Sequence, residues 1–391
     1  MLMIEIIFWV LSFIVILNLI LYPAFLYILN RILNRENQKY IDNYYPFITI
    51  LFSAYNEEKV IERRIKNLLS LDYPMDKIEI IAADDGSKDA TCEIIKKYAF
   101  EYRNVRYQGS KERKGKVVRL NEAVKSAHGE ILIFTDANTI YDREAVKLLV
   151  RPFIDPRVGA CGGDLIYEEI EEALVSQHGE ATYWRYETFI KEEESRFYSM
   201  VMGAGAIYAV RKELYVDVPP TFADDSYIPM HILKNGYIMV FVKDAKAYEK
   251  PAEKLFEEIK RRLRMVPQDV RGYLRLNCCF TFKTIKPALM LFCHKFLRWN
   301  LGIVIILWFL LLYKIKKSAI IYLILWSMSL TFIILSIISI IGLITEWRFF
   351  KLKIFTLPLY FLTAVFTASS GYIVGICGFS KSIWEKAETT R

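Results

Sequence analysis

The 391-residue chain carries 52 Lys+Arg against 44 Asp+Glu, a net charge of +8, and is 54% hydrophobic. That apolar content excludes intrinsic disorder, and six cysteines in so long a chain exclude a disulfide scaffold. A mean hydropathy of +0.22 beside 25% charged residues requires nearly charge-free segments averaged with a normally charged globular part.

The first such segment runs from Ile6 to Asn30. A bilayer-spanning helix needs about 20 apolar residues. Only Glu5 precedes the run, no basic region leads it and no small-residue cleavage site follows it. It therefore reads as a retained anchor rather than a signal peptide. Arg31, Arg35 and Lys39 follow directly. Basic residues mark the cytoplasmic flank of a span, so the domain behind them is expected in the cytoplasm.

From Tyr45 to about Pro251 the pattern alternates. Phe47–Ser53, Ile78–Ala83, Val105–Tyr107 and Ile131–Phe134 read as short buried strands. Glu58–Leu71, Ala90–Phe100 and Lys116–Ala127 read as helices between them. Continuous apolar strands alternating with amphipathic helices predict an α/β fold with a mostly parallel sheet covered on both faces. Such sheets bind ligands beyond the carboxyl ends of their strands.

Residues 252–285 differ again. Glu253–Arg275 mixes Lys254, Lys260, Arg261, Arg262, Arg264, Arg271 and Arg275 with Leu255, Phe256, Ile259, Leu263 and Val266. A basic amphipathic helix beside a span either lies on the membrane surface or presents a solvated face that positions the domain. In residues 286–391, Ser318–Thr345 and Ile354–Ser380 are uncharged runs of spanning length. Trp299–Tyr313 is shorter and reads as the end of a helix that starts near Pro287, with His294, Lys295 and Arg298 at an interface. Four spans put both termini outside, and by parity Lys314, Lys316 and Lys317 as well, against the positive-inside bias. The expected organisation is an anchor at 1–44, an α/β domain at 45–251, interfacial helices at 252–285 and about three spans at 286–391.

Three polar clusters sit just past predicted strands: Ser53-Ala54-Tyr55-Asn56-Glu57-Glu58, Asp84-Asp85-Gly86-Ser87-Lys88-Asp89 and Thr135-Asp136-Ala137-Asn138. Each alone reads equally as turn residues or a helix cap. Together they face one crevice of a parallel sheet, which capping does not require. Further along stands Phe222-Ala223-Asp224-Asp225, then an apolar run Tyr227–Leu233 and Asn235-Gly236-Tyr237. Arg261-Arg262-Leu263-Arg264-Met265 follows.

In this order the clusters resemble membrane-bound family 2 glycosyltransferases of the GT-A (nucleotide-diphospho-sugar transferase) fold. The branch is that of the cellulose, hyaluronan and poly-N-acetylglucosamine synthases, and the resemblance covers nearly the whole chain, flanking spans included. It implies that Tyr55 packs on uracil, with Glu57 in the same cluster, and that Asp85 reads the base. Lys116, in Lys114-Gly115-Lys116, meets the diphosphate. Asp136-Ala137-Asn138 occupies the DxD position, with Asn138 where the second carboxylate stands, so Asp136 and Asn138 are the implied ligands of Mg2+ or Mn2+. Asp225 falls where the family has its general base, and Asp224 where it has Glu. Arg264 matches the arginine of QxxRW, with Arg261 in place of the glutamine and Met265 in place of the tryptophan.

The chemistry asks for these residue types independently. A diphosphate calls for a hard cation on oxygen ligands, and for arginine. A hydroxyl that attacks an anomeric carbon must lose its proton, and a like charge or burial raises a carboxylate toward a useful basicity. An N-cap pair is the other reading of Asp224-Asp225, and surface-binding charge the other reading of Arg261 and Arg262. Thr182-Tyr183-Trp184-Arg185-Tyr186-Glu187 suits either sugar rings or packing on the domain, with Trp184 the candidate sugar contact. Gly203-Ala204-Gly205-Ala206-Ile207-Tyr208 is either a ligand border or a tight turn into a strand.

Cys92, Cys161, Cys278, Cys279, Cys293 and Cys377 form no CxxC pair, and His128, His178, His231 and His294 lack a metal-ligand spacing. Basic charge beside spans predicts membrane lipid or phosphate as partner, not nucleic acid. The expected function is inverting transfer of a sugar from a UDP-sugar to a glycan or lipid-linked acceptor hydroxyl at the cell membrane, as a polysaccharide synthase. Single transfer to a lipid-linked acceptor is the alternative. A nucleotide-binding transporter or receptor would need ionisable groups lining a path in the membrane, and the runs from Ser318 and Ile354 offer none.

Overall fold

A computed structural model describes residues 1–35, 43–168, 175–251, 255–276, 284–345 and 352–379. Lys39, Glu253, Lys254, Cys278, Cys279 and Ser380 lie outside the described residues. The chain opens with helices α1 (Leu2–Ile16) and α2 (Tyr22–Ile32), fused through a π-helical turn at Leu17–Leu21. Then come β1 (Ile48–Ala54), α3 (Ile61–Leu69), β2 (Ile78–Asp84), α4 (Thr91–Glu101), β3 (Val105–Gly109), α5 (Lys116–Ser126) and β4 (Ile131–Asp136). Each matches an element predicted above. The first helix starts later than expected because the carbonyl of Glu57 closes a turn onto the N–H groups of Val60 and Ile61. β2 and β4 run on through Asp84 and Asp136, so their acids lie on the strand ends rather than in loops.

The second half adds β5 (Ile140–Tyr141), α6 (Ala145–Val150), β6 (Val158–Tyr167), α7 (Val175–Phe197), β7 (Tyr208–Arg211), α8 (Asp224–Lys234) and β8 (Ile238–Glu249). The sheet order is β3-β2-β1-β4-β7-β6-β8-β5. The four predicted strands are mutually parallel. β7 runs antiparallel to both β4 and β6, β8 parallel to β6, and β5 antiparallel to β8, so the whole sheet is mixed.

Side-chain alternation along β1 builds both faces. Ile48, Ile50 and Phe52 pack with Ile61, Ile65 and Leu68 of α3 and Ile95 of α4. Leu51 points the other way, into a cluster with Leu120 and Ala123 of α5 and Ile228 and Ile232 of α8. Each such buried side chain stabilises by about 1.5–3 kcal/mol, and together they hold the strand ends that carry the polar clusters.

After the sheet come α9 (Leu255–Leu276), α10 (Ile285–Leu291), α11 (Leu297–Ile315), α12 (Ile320–Thr345) and α13 (Lys353–Ile376). Among the described residues, four helical stretches are long and apolar enough to cross a membrane: Leu2–Ile32, Ile285–Ile315, Ile320–Leu343 and Lys353–Ile376. Ile6, Phe13, Ile320, Ile334 and Ile354 leave their apolar side chains exposed, a surface suited to lipid.

Among the described residues, α7 and α9 join these helices to the sheet domain. α7 lays its acids against them. Asn30 donates to Glu193 (2.8 Å), Tyr22 donates to Glu194 (2.6 Å), and Lys295 donates to Glu187 (2.7 Å). α9 seats Val266 and Val270 among Met230 and Leu233 of α8 and Ala368 of α13. Glycines on α13 allow that approach. A Cβ at Gly371 would stand 2.8 Å from the Val266 Cβ, and one at Gly375 2.9 Å from that of Val270. We expect Gly371→Leu and Gly375→Leu each to lower the stability of the purified protein by about 1–3 kcal/mol, as overpacking does. The check is chemical denaturation in detergent, where an unchanged midpoint would show that α9 does not depend on this seat.

Candidate functional site

Register brings the polar clusters together. β1 lies between β2 and β4, with Ala54 opposite Asp84 and Ser53 opposite Asp136. Beyond the end of β1 the chain turns at Asn56, a non-glycine residue in the left-handed region (φ 53°). The Asn56 N–H donates to Ser87 Oγ (3.0 Å), and the Lys88 N–H donates to Asn56 Oδ1 (2.8 Å). Cluster one is thus tied to cluster two. Glu57 is buried, and its N–H donates to Thr91 Oγ1 (2.8 Å).

Asp85 is 3% exposed and accepts from the N–H of Lys114 (2.7 Å), the N–H of Gly115 (2.9 Å) and Arg119 Nε (3.1 Å). In this structure its carboxylate gathers the turn before α5. Gly115 holds φ at +95°, a conformation that favours glycine, and Lys116 follows as the first residue of the helix. The Arg113 guanidinium lies 3.8 Å from the centroid of the Tyr55 ring.

Lys116 Nζ donates to Asp136 Oδ1 at 2.8 Å and stands 3.7 Å from Asp224 Oδ1. Burial alone would lower its pKa, but Asp136 and Asp224 override that and raise it, so the ammonium stays charged. Asp224 accepts from Tyr208 OH (2.7 Å), and Asp225 Oδ2 accepts from the N–H of Gly205 (2.9 Å). Neither acid makes a side-chain cap bond to α8, whose N-cap is Ala223. Burial first, and Asp224 second, push the Asp225 carboxyl up to about 6. A Cβ at Gly205 would sit 3.3 Å from Asp225 Oδ2 and 3.5 Å from Lys116 Nζ, so the small residue keeps this corner open.

The α9 arginines turn inward. Arg261 bonds to Glu258 (2.7 Å), Tyr167 OH (2.9 Å) and Glu180. Arg262 bonds to Glu258 (2.5 Å) and Tyr360 OH (2.7 Å), and its guanidinium lies 4.6 Å from the centroid of the Tyr183 ring. Burial and then Arg261 bring Arg264 down to about 10, while Asp136 and Asp225 act in the opposite sense. Trp184 stands edge-on to Tyr167 at 5.8 Å.

Every sequence-predicted site residue lines one cavity of about 2160 Å³. That is roughly twice the upper range of an ordinary ligand site, about 1,000 Å³. Its lining includes Tyr55 and Asp85, Asp136 and Asp225, Phe332 and Leu335 of α12, and Leu357 and Phe361 of α13. Sequence reasoning missed several of its residues. Arg113, Glu180 and Glu258 hold predicted residues in place. Lys191 on α7 and Asp269 on α9 face the same space. Burial, and next Asp225, push the Asp269 carboxyl up to about 7. The one available signal was that buried arginines demand acids, and Glu258 stands three and four residues before Arg261 and Arg262.

A metal can be held here only in part by the protein. Asp136 and Asn138 both face the cavity, and no group of three His, Cys, Asp or Glu side chains suited to a metal occurs among the described residues. Hard cations accept oxygen ligands from a bound phosphate, so an acid and an amide beside a diphosphate fit such an ion.

The family model for Glycosyl transferase family 2 matches residues 49–218. The probable glycosyltransferase YdaM of Bacillus subtilis is 24% identical over 227 residues, covering 56% of this chain and 53% of that protein. The poly-beta-1,6-N-acetyl-D-glucosamine synthase of Staphylococcus aureus is 37% identical over 118 residues, 30% of this chain and 28% of that protein. The chain matches about half or less of the length of these curated relatives. Among solved structures, mannosyltransferase PcManGT from Pyrobaculum calidifontis, in complex with GDP-Man and Mn2+, aligns with a TM-score of 0.69 at 21% identity. That alignment covers 93% of this chain and 98% of that one, and it is a likeness of fold. The chain carries a glycosyl transferase family 2 domain at residues 49–218.

Proposed function

We propose that the protein is a membrane-anchored, inverting glycosyltransferase that moves a sugar from a UDP-sugar to a hydroxyl of a lipid-linked acceptor. One observation carries this reading: a single cavity joins the carboxylates at the strand ends to the apolar side chains of α12 and α13. A nucleotide sugar fills the first end, and an acceptor with an apolar tail fits the second. Arg31 at the end of the first span supports a cytoplasmic sheet domain in a multi-pass arrangement.

On this reading Tyr55 packs on the base, Glu57 lies beside it, and Asp85 orders the turn that carries Lys116. Lys116 and Arg264 meet the diphosphate. Asp136 and Asn138 would hold Mg2+ or Mn2+, which stabilises charge on the departing diphosphate. Asp225 takes the proton of the acceptor hydroxyl as its oxygen bonds to the anomeric carbon. The bond from that carbon to the diphosphate breaks on the opposite face, which inverts the centre. Asp224 keeps Asp225 basic. Arg261 and Arg262 brace α9 through Glu258, and Trp184 offers a ring to the acceptor sugar.

Chain extension, as in a polysaccharide synthase, is a second reading. It is favoured by the 37% identity over 118 residues with the S. aureus synthase.

Labelled UDP-sugars incubated with the purified protein separate the two readings by product size. One added sugar on lipid is expected, whereas a ladder would favour extension. Asp225→Asn should lower turnover by about 100-fold or more while UDP still binds, and retained turnover would end the base assignment.

The pH profile gives an independent check. Asp225 is basic only above its raised pKa, so kcat/KM should fall as pH drops below about 6. Asp224→Asn removes the like charge that raises it, so the acid limb should move to lower pH. A limb that stays put would remove Asp224 from this role.

Chelation tests the metal. EDTA should stop transfer, and added Mg2+ or Mn2+ should restore it. Full activity in excess EDTA would count against Asp136 as a ligand.

A further inference from the structure

Lys191 is a buried cation that the mechanism above does not use. It lies on α7, is 4% exposed, and lines the cavity. Its ammonium has a long contact to the carbonyl of Gly203 (3.5 Å) and sits 4.7 Å from the centroid of the Trp184 ring. No carboxylate pairs with it among the described residues. The acids around it are engaged elsewhere: Asp225, the acid that acts most on it, with the N–H of Gly205, Glu187 with Lys295, Glu194 with Tyr22 and His294, Glu192 with Arg196, and Asp164 with Thr188. A buried ammonium without a counter-ion is costly, and burial and then Lys295 depress its pKa to about 8. Such a group gains most from an anion brought by a ligand.

Position says which substrate brings the anion. Lys116 already serves the strand-end side, beside Asp136. Lys191 reaches the Gly203 carbonyl, while Gly205, two residues on, donates to Asp225. Trp184, the aromatic under the ammonium, belongs to the acceptor side of the proposed function. Lys191, Gly203 and Trp184 line the same cavity as Asp225 and the apolar side chains of α12 and α13, so a group that joins an apolar tail to a hydroxyl at Asp225 shares their space.

We propose that Lys191 forms a phosphate subsite, and that the acceptor is a lipid whose tail and sugar are joined through phosphate. This rests on the lipid-linked reading above. The lysine supplies an ammonium to the phosphate oxygens, with Lys295 adding positive potential from the neighbouring helix.

Binding tests this without turnover. The full-length protein in detergent is titrated with farnesyl phosphate, and separately with farnesol, following tryptophan fluorescence. The wild type should bind the phosphate form at least tenfold tighter. Lys191→Met should remove that preference and leave farnesol and UDP binding unchanged, and Lys191→Arg should restore most of it. Inorganic phosphate at matched concentration distinguishes a free-anion site, and displacement of farnesyl phosphate at equal potency would overturn the lipid assignment. Equal affinity for both lipids in the wild type, or an unaltered preference in Lys191→Met, would overturn the subsite. Intact phosphate selectivity with no sugar transfer to any lipid would instead overturn the transferase reading, so the two failures are distinct.

Discussion

The site depends on one ammonium held among acids. Lys116 begins α5, Asp136 ends β4, and Asp224 and Asp225 begin α8, yet all three acids act on the same Nζ. A charge taken out of water must be paired, and removing one partner leaves the others uncompensated. Residues more than a hundred positions apart therefore form a single electrostatic unit. Its geometry is fixed further back, where Asp85 gathers the backbone of Lys114 and Gly115 and Gly115 adopts a positive φ. The sheet supplies the remainder, because β1 sets Asp84 and Asp136 at one edge through its two parallel neighbours.

α7 is the second constraint, because it couples the sheet domain to the apolar helices. Its acids sit almost fully buried against α2 and the α10–α11 helix. Buried carboxylates are poor sources of net stability but strict about partners. Glu193 with Asn30, Glu194 with Tyr22 and Glu187 with Lys295 thus fix where the helix lies, more than how strongly it is held. Lys191 belongs to the same helix and breaks the pattern, since the acids around it are spent on other partners.

The parallel half of the fold was readable in sequence because each strand is a continuous apolar run between amphipathic helices. The mixed half was not. Tyr208–Arg211 is four residues long, and it pairs antiparallel to β4 and β6 after the long α7, with no local periodicity to announce it. The strand-end residues were readable for the same reason as the strands: register follows from the apolar pattern. Lys191 and Asp269 were not, because their environment is made by packing. Lys191-Glu192-Glu193-Glu194 has the composition of a solvated face, yet packing buries it: Glu193 and Glu194 meet α2 and the α10–α11 helix, Glu192 meets Lys243 of β8, and Lys191 meets the Gly203 carbonyl. Arg261 and Arg262 were open between membrane surface and site. Glu180, far off in sequence on α7, draws Arg261 inward.

Net charge is a poor guide to such a site. The chain is +8 overall, but around Lys116 three carboxylates face one ammonium. A diphosphate arriving there meets an excess of its own sign. Arg264 offsets part of this, since Asp136 and Asp225 are the acids that favour its charged form. A divalent cation on Asp136 would offset the rest, which is a physical reason for a metal on the proposed reading even though the protein offers it few ligands. On the proposed reading the same excess serves the acceptor step. Asp225 keeps its raised proton affinity because burial first, then Asp224 and Asp136, outweigh the opposing pull of Lys116. A more neutral corner would hold the diphosphate more easily and leave a weaker base.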